Sequence, residues 1–154
     1  MKLELQKLTA KRLYPDAPIW FQEIMKETFG KDFFEKKDFR DIKTFEDACE
    51  LLGISPNDVC HQNDLSDEIA YKQLKVIVKA INQGWTPDWD NGGQCKWWPW
   101  FGGRAGFACS YSNTSAAIAY ASVGSRLCFE SKEKSDYAGK QFLDIYKQFL
   151  LIPE

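Results

Sequence analysis

Residues 66–84 read SDEIAYKQLKVIVKAINQG, and within them Ala70, Leu74, Ile77 and Ile81 recur at steps of 4, 3 and 4. At 3.6 residues per turn those four positions form one stripe, so the segment is predicted to be an amphipathic helix with a single buried face. Ser66 stands at the N-cap position. Asp67 and Glu68 set negative charge against the positive end of the helix dipole, and Gly84 ends the run.

Toward the C-terminus the composition changes abruptly. From Trp85 to Gly106 the residues are mostly Trp, Pro, Asp, Asn and Gly, and Pro87, Pro99 and the glycines at 92–93, 102–103 and 106 forbid a long regular element. A loop, a short aromatic strand over Lys96 to Phe101 and a second loop are expected. Phe107, Cys109 and Tyr111 alternate, as do Ile118 and Tyr120, around the turn-forming Ser112 to Ser115, which predicts a hairpin over 106–122. Arg126 to Glu130 adds a third strand with Leu127 and Phe129 on one face. Ser131 then caps a closing helix whose stripe is Ala138, Phe142, Ile145 and Phe149.

Toward the N-terminus, Lys2 to Leu8 alternate in the period of a short strand. Asp16 and Pro18 supply a cap and a first-turn proline for a helix carrying Phe21, Ile24, Met25 and Phe29, ended by Gly30. Residues 31–43 form a charged connector with helical character near Phe33 and Phe34. Thr44 and Asp47 open a two-turn helix through Ala48, Cys49, Leu51 and Leu52 that stops at Gly53. The pattern is an α+β fold: a helical N-terminal half, then a small antiparallel sheet of three or four strands packed on a C-terminal helix. One domain spans 1–154, helical over about 1–84, with the aromatic loop, sheet and closing helix over about 85–154.

A chain of 154 residues is long enough for one self-sufficient core. Its 20 basic and 22 acidic residues alternate, so no half carries a field that selects nucleic acid or an anionic membrane. The five cysteines, Cys49, Cys60, Cys95, Cys109 and Cys128, are odd in number and irregularly spaced, which fits neither a disulfide framework nor metal knuckles. Free thiols in a reducing compartment are expected. No stretch approaches the length of a membrane span, and Met1 to Ala10 lacks the apolar core of a signal peptide.

Candidate chemistry is sparse. His61 adjoins Cys60, but chain neighbours rarely face each other as base and nucleophile, so a solvated loop histidine is the expected reading. Asp88-Trp89-Asp90-Asn91-Gly92 opens like a calcium loop, yet Gly92 stands where an oxygen ligand is needed and Pro99 where the closing glutamate belongs. Turn chemistry is expected there instead. Phe101-Gly102-Gly103-Arg104-Ala105-Gly106 has neither P-loop nor dinucleotide spacing, and Gly124-Ser125-Arg126 lacks the nucleophile-elbow frame. No catalytic residue, metal site or cofactor is predicted.

Five of the six tryptophans, Trp85, Trp89, Trp97, Trp98 and Trp100, fall within sixteen residues. Clustered indoles beside cations have the composition of an interface hot spot or a stacking platform, whereas the structural reading is an aromatic minicore shielding the sheet. Strand alternation puts Lys96, Trp98 and Trp100 on one face and Trp97 and Phe101 on the other. The expected contact surface is therefore Trp89, Lys96, Trp98, Trp100 and Arg104, with Trp85 and Trp97 structural.

Several strings stand together along the chain: Leu13-Tyr14-Pro15 through Trp20-Phe21, Phe29-Gly30-Lys31, Lys43 to Cys49, Gly84 to Trp89, and Val123 to Phe129 through Tyr137 to Phe142. With them the chain resembles a family of uncharacterised proteins from phages, prophages and mobile elements of gut bacteria of the Bacteroidales type. The resemblance implies an origin and the cytoplasm of a bacterial host, and it brings no activity. Small proteins of this kind commonly act by binding, so the expected function is a non-enzymatic binding protein with a host or phage protein as partner, an inhibitor of host defence being one concrete version. The alternatives are a structural or packaged virion component, which would form a stable homo-oligomer, and an accessory protein for single-stranded nucleic acid, which the balanced charge disfavours.

Overall fold

The computed structural model describes residues 6–34, 38–102, 107–115 and 126–152. The helix predicted from the 66–84 stretch is present as Ser66–Asn82, and Ala70, Leu74, Ile77 and Ile81 are completely buried. In chain order the helices are α1 (Lys7–Leu13), α2 (Ile19–Phe29), α3 (Phe45–Leu52), α4 (Ser66–Asn82), α5 (Lys132–Gln141) and α6 (Leu143–Leu150), with strands β1 (Lys96–Gly102) and β2 (Ala108–Ser115) between α4 and α5. Both α3 and α6 pack along α4. Phe45, Ala48 and Cys49 of α3 meet Leu74, Ile77, Val78 and Ile81 of α4 in a core completed by Leu127, Phe129, Ala138, Phe142 and Tyr146. The α+β architecture, with its helical N-terminal half and a small antiparallel sheet packed on C-terminal helix, is as expected.

Local signals explain most helix ends. Thr44 and Asp47 form a reciprocal capping box, the Asp47 N–H donating to Thr44 Oγ1 at 3.1 Å and the Thr44 N–H to Asp47 Oδ2 at 2.9 Å. Gly53 closes α3 in the left-handed conformation at φ 66°. At α4 the cap is one residue earlier than predicted: Leu65 is the N-cap, its N–H donates to the Glu68 carboxylate at 2.9 Å, and Ser66 is already helical. Asp16 likewise does not cap α2. It ends a single turn of 3-10 helix, Tyr14–Asp16, and Pro18 takes the cap position while the Gln22 amide donates to the Tyr14 and Ala17 carbonyls at 3.1 and 2.9 Å.

The N-terminal strand prediction fails where it can be followed, because Lys7 is already helical and Ala10 is fully buried in α1; residues 1–5 lie outside the described residues. The connector after α2 forms two 3-10 turns among the described residues, Phe39–Asp41 before α3 and, directly after α2, Lys31–Phe34. Its rings build a satellite aromatic cluster, Tyr14 stacking on Phe34 at 4.1 Å and Phe29 on Phe33 at 5.3 Å. α1 joins this cluster to the main body by packing on α3, with Lys11 Nζ 3.2 Å from Glu50.

The sheet differs from expectation in its turns. β1 and β2 pair antiparallel from Lys96↔Ser115 to Gly102↔Ala108, so Ser112 to Ser115 continue a strand instead of turning. Tertiary contacts override their local preference: Ser112 Oγ donates to Asp136 Oδ1 at 2.6 Å and lies 2.8 Å from the buried Ser135 Oγ, which ties this end of β2 to α5. Ile118 and Tyr120 of the expected hairpin lie outside the described residues. A bulge falls where Trp100 pairs with Tyr111 and Phe101 with Cys109, leaving Ser110 as the extra residue. The predicted third strand is one antiparallel bridge, with Trp97 and Phe129 exchanging hydrogen bonds of 3.0 and 2.7 Å. Leu127, Cys128 and Phe129 are all buried, so this stretch does not alternate.

The closing helix is two helices. Ser131 caps α5 as predicted, but the chain bends at Phe142 (φ −109°, ψ 31°). α5 lies on the ribbon and α6 on α4, and the bend lets each find its own partner. Tyr146 consequently enters the core, and Phe149 stacks on Tyr71 at 5.4 Å.

Candidate functional site

The aromatic loop folds back over β1. Gln94 laces it, its Oε1 accepting from the Asp88 N–H at 2.6 Å and its Nε2 donating to the Thr86 carbonyl at 3.4 Å. The Asp88 and Asn91 carboxylate and amide oxygens accept from the Asp90 and Gly93 N–H groups at 3.0 and 2.9 Å. These are Asx turns, the chemistry expected of the Asp88 to Gly92 string. Among the described residues no group of three or more His, Cys, Asp or Glu side chains is placed to hold a metal ion.

This folding covers much of the predicted contact surface. Trp97 and Phe101 pack against the core and Pro99 meets Gly139 of α5, Phe101 stacking on Phe107 at 4.8 Å and lying 4.8 Å from the Tyr146 ring. On the opposite face Lys96 is completely buried, its Nζ donating to the Asn91 carbonyl at 3.2 Å and standing 5.2 Å from the centre of the Trp89 ring. Trp98 is buried at 3% exposure. Neither Lys96 nor Trp98 faces solvent, which corrects the expectation that both belong to a contact surface. Alternation correctly places them on one face; what it cannot see is that the face is covered. Trp89 is half-buried, with its indole N–H enclosed and without a hydrogen-bond partner among the described residues. Trp100 does emerge, at 46% exposure. Arg104 lies outside the described residues.

The most exposed tryptophan among the described residues is elsewhere. Trp20 on α2 is 64% exposed, with Ile19 at 76% and Ile24 at 48%. On a helical projection Phe21, Met25 and Phe29 occupy the inward arc, and Ile19, Glu23, Glu27, Trp20 and Ile24 the outward one. The sequence signal for this second ridge is the i, i+4 pair Trp20 and Ile24, which grouping Ile24 with the buried stripe conceals.

The thiols are free and mostly enclosed. All five cysteines are unbridged, Cys49 and Cys128 being buried and Cys95 exposed. Burial pushes the Cys49 thiol up to about 11, with the Glu46 carboxylate adding to the effect, and burial likewise pushes Cys128 up to about 11. His61 is solvent-exposed, as expected of a loop histidine, and its backbone N–H donates to Asp64 Oδ2 at 2.7 Å. Among the described residues no helix is long and apolar enough to cross a membrane. No protein-family model matches this chain, and no match was found among the curated proteins or the solved structures.

Proposed function

We propose that this chain is a non-enzymatic binding protein of phage or mobile-element type that acts through protein–protein contacts. The observation that carries the reading is the solvent-facing ridge of α2, where Ile19, Trp20 and Ile24 keep most of a large apolar surface in water. Leaving an indole and two isoleucines about half or more exposed on one short helix forgoes a good part of the roughly 1.5–3 kcal/mol that full burial of such a side chain provides. Such a ridge is what an interface hot spot presents before its partner arrives. Trp100, the exposed member of the aromatic strand, is a second contact point. Inhibition of a host defence protein is one form the activity would take.

The test is capture from a phage-infected host lysate with the wild-type chain and with Trp20→Ala. A true contact residue loses the partner by about 2 kcal/mol or more while the melting curve stays in place. Identical captured proteins from both chains would overturn the reading. A stable homo-oligomer in sedimentation that Trp20→Ala dissolves would favour the virion-component alternative.

A further inference from the structure

Three cations converge on a groove between α4 and the start of the aromatic loop. Its volume is about 200 Å³, and its walls include Lys75, Val78 and Lys79 of α4, Trp85 and Pro87 of the loop, and Arg126. No carboxylate lines it. Lys11, Arg40, Lys72, Lys132 and Lys134 are held in ion pairs, whereas Lys75, Lys79 and Arg126 form none among the described residues. Lys75 and Lys79 are one helical turn apart, a like-charge pair that works against α4 until an anion neutralises it. Lys75 Nζ rests 4.9 Å from the centre of the Tyr71 ring, while Lys79 and Arg126 are exposed.

The back of the groove is rigid. Asn82, buried at the end of α4, donates from Nδ2 to the Cys128 carbonyl at 2.9 Å and accepts the Glu130 N–H on Oδ1 at 3.2 Å. That clamp holds the segment bearing Arg126 against the helix bearing Lys79. The cations thus stand on a fixed apolar floor of Val78, Trp85 and Pro87, in a chain whose net charge is −2.

We propose that this groove docks an acidic peptide segment of a partner protein, with one apolar side chain against Trp85 and Pro87 and its flanking carboxylates on Lys79 and Arg126. The dimensions select this class. A drug-sized or nucleotide ligand needs a pocket of roughly 300–1,000 Å³, larger than this groove. A nucleic-acid strand needs a longer track of phosphate contacts than three cations provide. One anchoring side chain with charges at the rim fits both the volume and the charge. The groove and the α2 ridge are on different elements, so this inference does not depend on the Trp20 result.

The experiment is fluorescence anisotropy on the full chain with three labelled probes: a short peptide of glutamates around a central leucine pair, its lysine counterpart, and an oligothymidylate. The acidic peptide is expected to bind, more weakly as salt rises, and to lose about tenfold in affinity in Lys79→Glu and again in Arg126→Glu. Lys147→Glu, a charge reversal at an exposed position of α6, should leave it unchanged. Thermal melting checks that each variant is folded. Equal binding of the lysine peptide, absence of binding by the acidic one, or indifference to both groove reversals would overturn the proposal. So would an oligothymidylate that binds more tightly than the acidic peptide, which would assign the groove to nucleic acid.

Discussion

Gly139 of α5 lies so close to Pro99 of β1 that a Cβ on the glycine would stand 2.6 Å from the proline Cβ, and equally near the Cys109 sulfur. Its φ is not left-handed, so space and not conformation requires the glycine. This contact sets how closely the helix can lie on the ribbon. Gly139→Ala would gain about 1 kcal/mol in helix propensity, but overpacking against two groups costs roughly 1–3. Because both neighbours would stand at 2.6 Å, the upper part of that range applies, and a net loss of about 1–2 kcal/mol in urea unfolding is expected. A variant as stable as the parent would mean that α5 does not rest on Pro99.

Trp98 and Trp100 are two residues apart on one strand and differ from 3% to 46% in exposure. Trp98→Ala should therefore cost roughly 3–5 kcal/mol, the range for emptying an aromatic core site. Trp100→Ala should cost under about 1 kcal/mol. Acrylamide quenching of single-tryptophan variants gives an independent reading, with Trp100 accessible and Trp98 protected. Equal losses of stability in the two alanine variants would contradict the way the loop covers this strand.

Tyr146 carries a hydroxyl that is buried with no hydrogen-bond partner among the described residues. Burial also drives its ionisation well above the usual tyrosine range, so the group stays neutral. Removing an unsatisfied buried hydroxyl relieves a desolvation cost, and Tyr146→Phe is expected to raise stability by about 1 kcal/mol. Phe142→Ala, one turn earlier at the bend between α5 and α6, should lower it by roughly 3–5 kcal/mol. Denaturant midpoints of the pair decide the matter: a Tyr146→Phe protein less stable than the parent would reveal a partner for the hydroxyl.

Thiol titration should find five free thiols after denaturation, and in the native protein at mild pH only Cys95 should react quickly. The buried thiols also predict a pH dependence. Cys49 and Cys128 hold their protons up to about 11 in the fold, whereas in the unfolded chain they release them near 8.5. Their contribution to stability is complete below about 8.5 and is lost as pH rises toward about 11, because the unfolded state then holds fewer protons. Urea midpoints measured across that window should fall in the parent. They should fall less steeply in Cys49→Ala/Cys128→Ala, and equal slopes would show that the thiols are not responsible.

Helices α2 to α5 of this protein are legible in its sequence because their causes are local, whereas α1 stands where alternation suggested a strand. The stripe of Ala70, Leu74, Ile77 and Ile81, the Thr44 and Asp47 box, Gly53 and Ser131 each act within a turn or two, and the folded chain uses all of them. The aromatic strand was legible for the same reason, since Lys96 to Phe101 is bounded by turn residues on both sides. Partners distant in sequence decided the rest. Asp136 and Ser135 hold Ser112 in a strand where its neighbours favour a turn, and α4 and the ribbon draw α6 and α5 in different directions at Phe142. The candidate sites divide in the same way. Alternation put Trp98 and Trp100 on one face, but only the fold of the 86–95 loop determines that Lys96 is covered and Trp100 is not. The outward ridge of α2 and the groove joining Lys79, Trp85 and Arg126 depend on which side of each element the core occupies, and burial is a property of the assembled chain, not of any segment of it.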